Sequence, residues 1–396
     1  MNSLSRPWLT MMRLFPSSLA ALIFLIVRNV WAGPVEVMRT PDNGIQPQAM
    51  VGADGRVHLL YFKGDAAGGD LFYTYRKAQS EGWVAPMRVN RLSGSGLAIG
   101  SVRGAQLALG RNGWVHVAWM GSSKAQSVRL GARDQSPLLY ARLRPNASEF
   151  EPEQNMLKVA GGLDGGGSLA ADAMGHVAVV WHGLIGDAKG EQFRAVYVRE
   201  STDDGGVFAT EKAVSPHGSG ACGCCGIKAG YGDGGSLQVV FRSATQETNR
   251  AELVIKGTMD NLPFKVVRSA PWSINNCPMS TSALAQGSTA SFAAWETEGQ
   301  VWWEKFEATG NPSRKMMQPE GGKGGRKHPA LAVNSRGEVL LAWTEGTGWQ
   351  RGGGVAWQLY DKDGKAMQPI ERRTGVPVWG LVAVVAASDG NFSLIY

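Results

Sequence analysis

The chain has 396 residues, among them 53 Gly and 14 Trp, with 18% charged residues and a formal net charge of +7. Arg6, Arg13 and Arg28 carry three of those charges, and the rest of the basic residues are scattered without a Lys/Arg run, which argues against a nucleic-acid partner. No long stretch shows a helical period, and all-β closed folds reach this length as one unit, so the expected class is all-β.

At the N-terminus, Arg6 and Arg13 precede an apolar run from Leu14 to Val27, and Val30-Trp31-Ala32 supplies a cleavage site before Gly33. Residues 1–32 are therefore predicted to be a secretory signal, placing the protein in the periplasm or outside the cell. The run is short and interrupted by Pro16, Ser17 and Ser18, so no stable membrane span is expected after cleavage.

From there one pattern recurs: a Gly turn, an apolar alternation and a closing aromatic. It reads Asp54-Gly55 to Tyr61, Asn112-Gly113 to Trp119, and Met174-Gly175 to Trp181, then Gly234-Gly235 to Phe241 and Gly287 to Trp295. Arg336-Gly337 to Trp343 and Asp389-Gly390 to Tyr396 complete the series. One strand pattern per period of about 50 to 60 residues points to a β-propeller of four-stranded blades. Third strands follow the signature strands, as in Leu71 to Arg76, Leu138 to Arg142 and Arg194 to Arg199. The last copy ends on its second strand, and Val35 to Arg39 is the candidate to complete it and cover the exposed edge. This closure predicts seven blades over residues 33–396; six blades with an appended hairpin are the alternative.

Ser201-Thr202-Asp203-Asp204-Gly205-Gly206-Val207-Phe208 fits the pattern Ser-x-Asp-x-Gly-x-x-Trp/Phe, in which Ser and Asp bond backbone groups of a hairpin turn. Ser80 to Trp83 and Asp361 to Gly364 are worn versions. In this Asp box and its repeat the chain resembles the sialidase-like propellers. That resemblance implies an arginine triad, a Tyr-Glu nucleophile pair and an Asp acid for sialic-acid hydrolysis. The stretch corresponding to the family's first Arg-Ile-Pro segment is Gly44-Ile45-Gln46-Pro47, without arginine, and no Tyr-Glu pair can be placed. Arg242, at the end of a signature strand, stands in for the second arginine.

All four cysteines fall at two places, Cys222-Gly223-Cys224-Cys225 and Cys277-Pro278-Met279. Each precedes an innermost strand, as do His328 and Trp379 in the last two repeats, so these loops are expected to converge on one opening. Two disulfides are the ordinary reading for an exported chain. The other is a soft-metal site for copper or zinc, held by Cys222, Cys224, Cys225, Cys277, Met279 and His328. Loops after the signature strands add further candidates to this face. Glu296 and Glu345, with Arg242, would be the catalytic groups of a glycosidase; His182, Arg250, Trp349, Arg351 and Trp379 would bind ligand. His58, His116 and His176 read as strand residues between blades, and Asn146-Ala147-Ser148 fits a glycosylation triplet. The first expectation for function is a non-catalytic protein that binds a carbohydrate or a protein, with no cofactor. A glycoside hydrolase and a copper or zinc protein are the alternatives.

Overall fold

Each Gly turn supplies the left-handed backbone that a tight hairpin needs, and each alternation turns every second side chain to one face of a sheet. In the computed structural model, which describes residues 35–77, 82–246, 248–273, 278–307, 316–322 and 324–396, the repeats become seven small antiparallel sheets. They are the blades of a seven-bladed propeller, and no α-helix occurs among the described residues. The expected signal segment lies outside the described residues, and none of the described helices is long and apolar enough to cross a membrane.

The innermost strands are Ile45–Val51, Gln106–Leu109, Gly167–Ala171, Lys228–Tyr231, Ala283–Gln286, Arg326–Val333 and Ala383–Ala386, one per blade. The signature strands pair next to them, and their closing aromatics Tyr61, Trp119, Trp181, Phe241, Trp295, Trp343 and Tyr396 are all buried. The repeated aromatic thus fills the same inter-blade space seven times, and burial of such side chains is the main force that holds neighbouring blades together. His58 and His116 belong to this layer: each ring Nδ1 lies 2.7 Å from a tyrosine hydroxyl, Tyr73 and Tyr140 respectively. Burial drives the pKa of His116 down to about 3, which keeps it neutral.

Blades 1, 2, 4 and 6 have the four strands expected, and blade 3 has a fifth, the short strand Ala160–Gly161, paired to the end of Val177–Ile185. Among the described residues blade 5 has three, Ala283–Gln286, Ala290–Thr297 and Gln300–Glu307, and a single bridge pairs Trp303 with Met317. Blade 7 also has three among the described residues. Its third strand is Glu36–Met38, which runs parallel to Phe392–Ile395 with Glu36 opposite Ser393 and Met38 opposite Ile395. The seam is locked by side chains as well, since Arg76 of blade 1 donates to Glu36 at 3.0 Å and Ser393 Oγ donates to it at 2.8 Å.

The Asp-box turn lies between the third and fourth strands of blade 3. Ser201 Oγ accepts the backbone N–H of Gly205 at 3.1 Å, and Asp203 Oδ1 accepts those of Gly206 and Val207. Phe208 packs edge-on against Tyr140 of blade 2, with ring centroids 5.0 Å apart. Seven blades make the fold a β-propeller, and this turn has the hydrogen bonding expected of an Asp box. The worn copy at Asp361 to Gly364 is a tight turn of the same kind, in which Asp361 Oδ1 accepts from the backbone of Asp363 and Lys365. Ser80 and Glu81 of the other worn copy lie outside the described residues.

Candidate functional site at the channel mouth

The seven innermost strands surround a central channel with a cavity of about 400 Å³. Its wall is mostly small and apolar, because short side chains at the axis let the strands approach one another. Among the described residues the lining includes Gln48, Gln106, Ser282, Gln286 and Tyr231, one amine from Lys228, and no carboxylate. Lys228 opens the innermost strand of blade 4 and reaches across the channel, where Nζ donates to Gln48 Oε1 of blade 1 at 3.2 Å and to Gln106 Oε1 of blade 2 at 2.8 Å. Desolvation pulls its pKa down to about 8. An ammonium has three donors, so these two bonds leave one N–H for a ligand.

At the mouth, residues just before or at the start of the innermost strands share an unusual backbone. Gln46, Met279, His328 and Trp379, from blades 1, 5, 6 and 7, all have φ between 50° and 63°, and Gly166 takes a φ of 75° in blade 3. Large side chains seldom adopt this left-handed conformation, and residues held in it gather at binding and catalytic sites. At Gln46 and His328 the strand pairing slips, with register shifts between Ile45 and Gln48 and between Lys327 and Ala330.

Trp349 and Trp379 form the aromatic part of the rim. Their rings meet edge to face with centroids 4.7 Å apart; Trp349 is 56% exposed, whereas Trp379 is buried beneath it. Trp349 extends from blade 6 toward the loop that enters blade 2, where a Cβ added to Gly100 would stand 3.4 Å from its ring. Arg351 stays in the same short turn, which is closed by backbone hydrogen bonds between Gly348 and Arg351.

The remaining predicted residues are less available than their positions implied. Neither Glu296 nor Glu345 lines the channel. Glu345 Oε1 accepts from Trp343 Nε1 at 3.0 Å, and its carboxylate is paired with Arg326 and Arg372 at 3.4 and 2.9 Å. Burial works to raise its pKa, but the bonds from Arg372 and Trp343 prevail and hold it below the ordinary carboxylate value. Glu296 is 1% exposed, with Oε1 capping the N–H of Gly299 at 2.5 Å and Oε2 lacking a hydrogen-bond partner, and burial raises its pKa. His182 is buried, with Nε2 3.0 Å from the carbonyl of Cys225, so it braces the cysteine loop from below. Arg250 is bound to Glu191 at 2.8 Å. His328 is buried, accepts the N–H of Thr281 at Nδ1 and is neutral, with its pKa pushed down to about 3 by burial.

The cysteines Cys222, Cys224 and Cys225 precede the innermost strand of blade 4, next to Lys228. Cys222 Sγ lies 3.3 Å from Cys225 Sγ and 3.7 Å from Cys224 Sγ, both well beyond the roughly 2.05 Å of a disulfide bond. Beneath them Arg242 points Nη1 at Cys225 Sγ, 3.1 Å away, and forms an ion pair with Glu252. Glu191, which the sequence gave no reason to select, closes the side of the cluster by accepting the N–H of Gly223 at 3.0 Å. Among the described residues, Glu191, Cys222 and Cys224 form the group of His, Cys, Asp and Glu side chains whose ligand atoms are close enough to share one ion. His328 is outside that group, Met279 is 38% exposed, and Cys277 lies outside the described residues.

Comparison with known proteins gives likeness in shape alone. No protein-family model matches the chain, and no curated protein matches it in sequence. Among solved structures, the alpha-L-arabinanase of Penicillium chrysogenum, complexed with arabinobiose, is 10% identical over 84% of this chain and 96% of its own, with a TM-score of 0.51. A Dyadobacter fermentans protein of unknown function is 11% identical over 86% and 96% of the two chains, also at 0.51. An ulvan lyase, a polysaccharide lyase, is 12% identical over 87% and 88%, at 0.50. At such identities the shared feature is the fold.

Proposed function

We propose that this protein is a non-catalytic binding propeller that takes a carbohydrate at the mouth of its central channel. The observation that carries the reading is the composition of the channel: amide, hydroxyl and amine groups without a carboxylate among the described lining residues, with the exposed Trp349 beside Gly100, which adjoins the lining residue Ser101. Sugars present apolar C–H faces and rings of hydroxyls, which suit an aromatic platform above fixed polar groups. A glycosidase of the usual kind needs two carboxylates flanking the scissile bond; Glu345 is bound by two arginines, Glu296 is buried, and neither lines the channel. The arabinobiose seen with the Penicillium chrysogenum enzyme shows that a propeller of similar shape accommodates a short sugar chain.

The test is a glycan array read with the purified protein, followed by calorimetry on the best ligand and product analysis after long incubation. The expected outcome is saturable binding that weakens about tenfold or more in Trp349→Ala, a loss of about 1.4 kcal/mol, with the glycan recovered intact. Cleavage of the glycan, abolished by Glu296→Gln, would make the protein an enzyme and overturn the reading.

A further inference from the structure

The cysteine cluster is a second feature of this face, separate from the channel and its proposed sugar. Two thiolates bound to one tetrahedral ion at about 2.3 Å from each stand roughly 3.8 Å apart. Cys222 holds its sulfur 3.7 Å from Cys224, at ligand spacing, and 3.3 Å from Cys225; the ligand atoms already clustered are those of Cys222, Cys224 and Glu191, so Cys225 has to turn toward Cys224 to complete a three-sulfur set. Cys222 and Cys225 are buried, whereas Cys224 is partly exposed, which gives an ion a path of entry.

The surroundings suit thiolates better than thiols. Arg242 is buried with its Nη1 3.1 Å from Cys225 Sγ, a donor placed as supporting groups are around metal-bound sulfur. Arg194 lies beside Gly223, where an added Cβ would come 2.8 Å from its Nε, an atom with no hydrogen-bond partner in the structure. These cations offset the charge of three sulfur anions. Glu191, although within reach, is held by the N–H of Gly223 and by Arg250, which leaves sulfur as the principal donor. Sulfur-rich sites of low coordination select soft ions over calcium or magnesium.

We propose that Cys222, Cys224 and Cys225 bind one soft d10 cation, copper(I) or zinc, at the rim of the channel. Binding releases thiol protons to solvent and requires no change in oxidation state. His328 and Met279 are not part of the site.

The test uses the purified protein, reduced under anaerobic conditions and titrated separately with copper(I), in competition with a chromophoric chelator, and with zinc. The expected result is one equivalent of either ion retained per chain, with affinity reduced at least 100-fold in Cys224→Ser. Because Cys224 is the least buried of the three, this variant should keep the thermal unfolding midpoint of the parent. His328→Ala should leave the affinity unchanged. Preference for copper or for zinc in the titrations identifies the ion within the class. Retention of neither ion, or undiminished retention in a Cys222→Ser/Cys224→Ser/Cys225→Ser variant that still folds, overturns the proposal.

Discussion

Arg242 Nε and Glu252 Oε2 stand 3.1 Å apart with side chains 2% and 1% exposed, an ion pair sealed beneath the cysteine loop. The guanidinium also serves Cys225 Sγ and the carbonyl of Glu296, and it packs over the Trp272 ring at 4.0 Å. One side chain thus ties together the cysteine loop, the third strand of blade 4 and the second strand of blade 5. A buried pair of this kind adds little net stability against an apolar replacement, but removal of one partner strands the other charge in a medium that cannot solvate it. Arg242→Ala is expected to destabilise the protein by about 3–5 kcal/mol, as measured by chemical denaturation. The double variant Arg242→Met/Glu252→Leu should recover a substantial part of that loss; equal destabilisation of single and double variants would show that the pair does not act as a unit.

The Asp-box turn yields a second prediction. Gly205 has a φ of 74°, and a Cβ there would fall 1.9 Å from the Tyr140 hydroxyl, the same hydroxyl that bonds His116. Gly205→Ala therefore combines backbone strain with a clash against a buried aromatic, and a loss of about 2–4 kcal/mol is expected. Ser201→Ala removes the bond to the N–H of Gly205 and should cost about 1 kcal/mol. Thermal unfolding of the two variants, compared under one condition, checks the order.

The repeat was legible in the sequence because turn glycines and strand-end aromatics obey local geometric rules, and these hold wherever the blade sits. Tyr61, Trp119 and Trp181 could be assigned to equivalent places before any contact was known, and all are buried. The site was less legible because it depends on partners distant in the chain. Glu345 looked like an available loop carboxylate, yet Arg326 and Arg372 converge on it only once blade 6 is folded. Lys228 was missed: its one signal was a charge at the start of an otherwise apolar innermost strand, and its partners Gln48 and Gln106 lie 180 and 122 residues away. Glu191 precedes the cysteines by a whole strand pair and carried no motif. Met279 and Trp379 stand before their strands as expected, whereas His328 lies inside Arg326–Val333 at a slip in the pairing, and no local rule anticipates a left-handed backbone at Met, His or Trp.

The closing seam should be sensitive to acid. Hydrogen bonding from Arg76 lowers the pKa of Glu36, burial opposes it, and Ser393 adds to the lowering. A carboxylate whose folded pKa is depressed contributes stability that is present above its unfolded value and is lost as pH falls through the folded one. Glu36→Gln should therefore lower the unfolding midpoint at pH 7, and the difference from the parent should shrink as the pH is taken below about 4. Glu36 is half exposed, so solvent screening keeps the effect modest. A difference that stays constant from pH 7 to pH 3 would mean that the carboxylate charge plays no part in closure.

Lys228 gives a dependence of the same sign in a more alkaline window and links the channel to its ligand. Its folded pKa is lowered to about 8 by desolvation, from 10.5. Below about pH 8 the ammonium is present in both folded and unfolded chains, and its burial penalty is fully felt. Between about 8 and 10.5 the unfolded chain binds more protons than the folded one, so stability rises with pH across that window. Lys228→Met, which removes the amine, should flatten the rise. The same titration acts on binding, because a carbohydrate bearing a carboxylate gains from the ammonium and loses that gain when the proton leaves. Affinity for an acidic sugar should fall as pH increases through about 8, while affinity for a neutral sugar of the same ring should change much less. Calorimetry of both ligands on the parent and on Lys228→Met separates the two effects: a pH-dependent preference for the acidic sugar that survives in the variant would place the anion elsewhere on the rim.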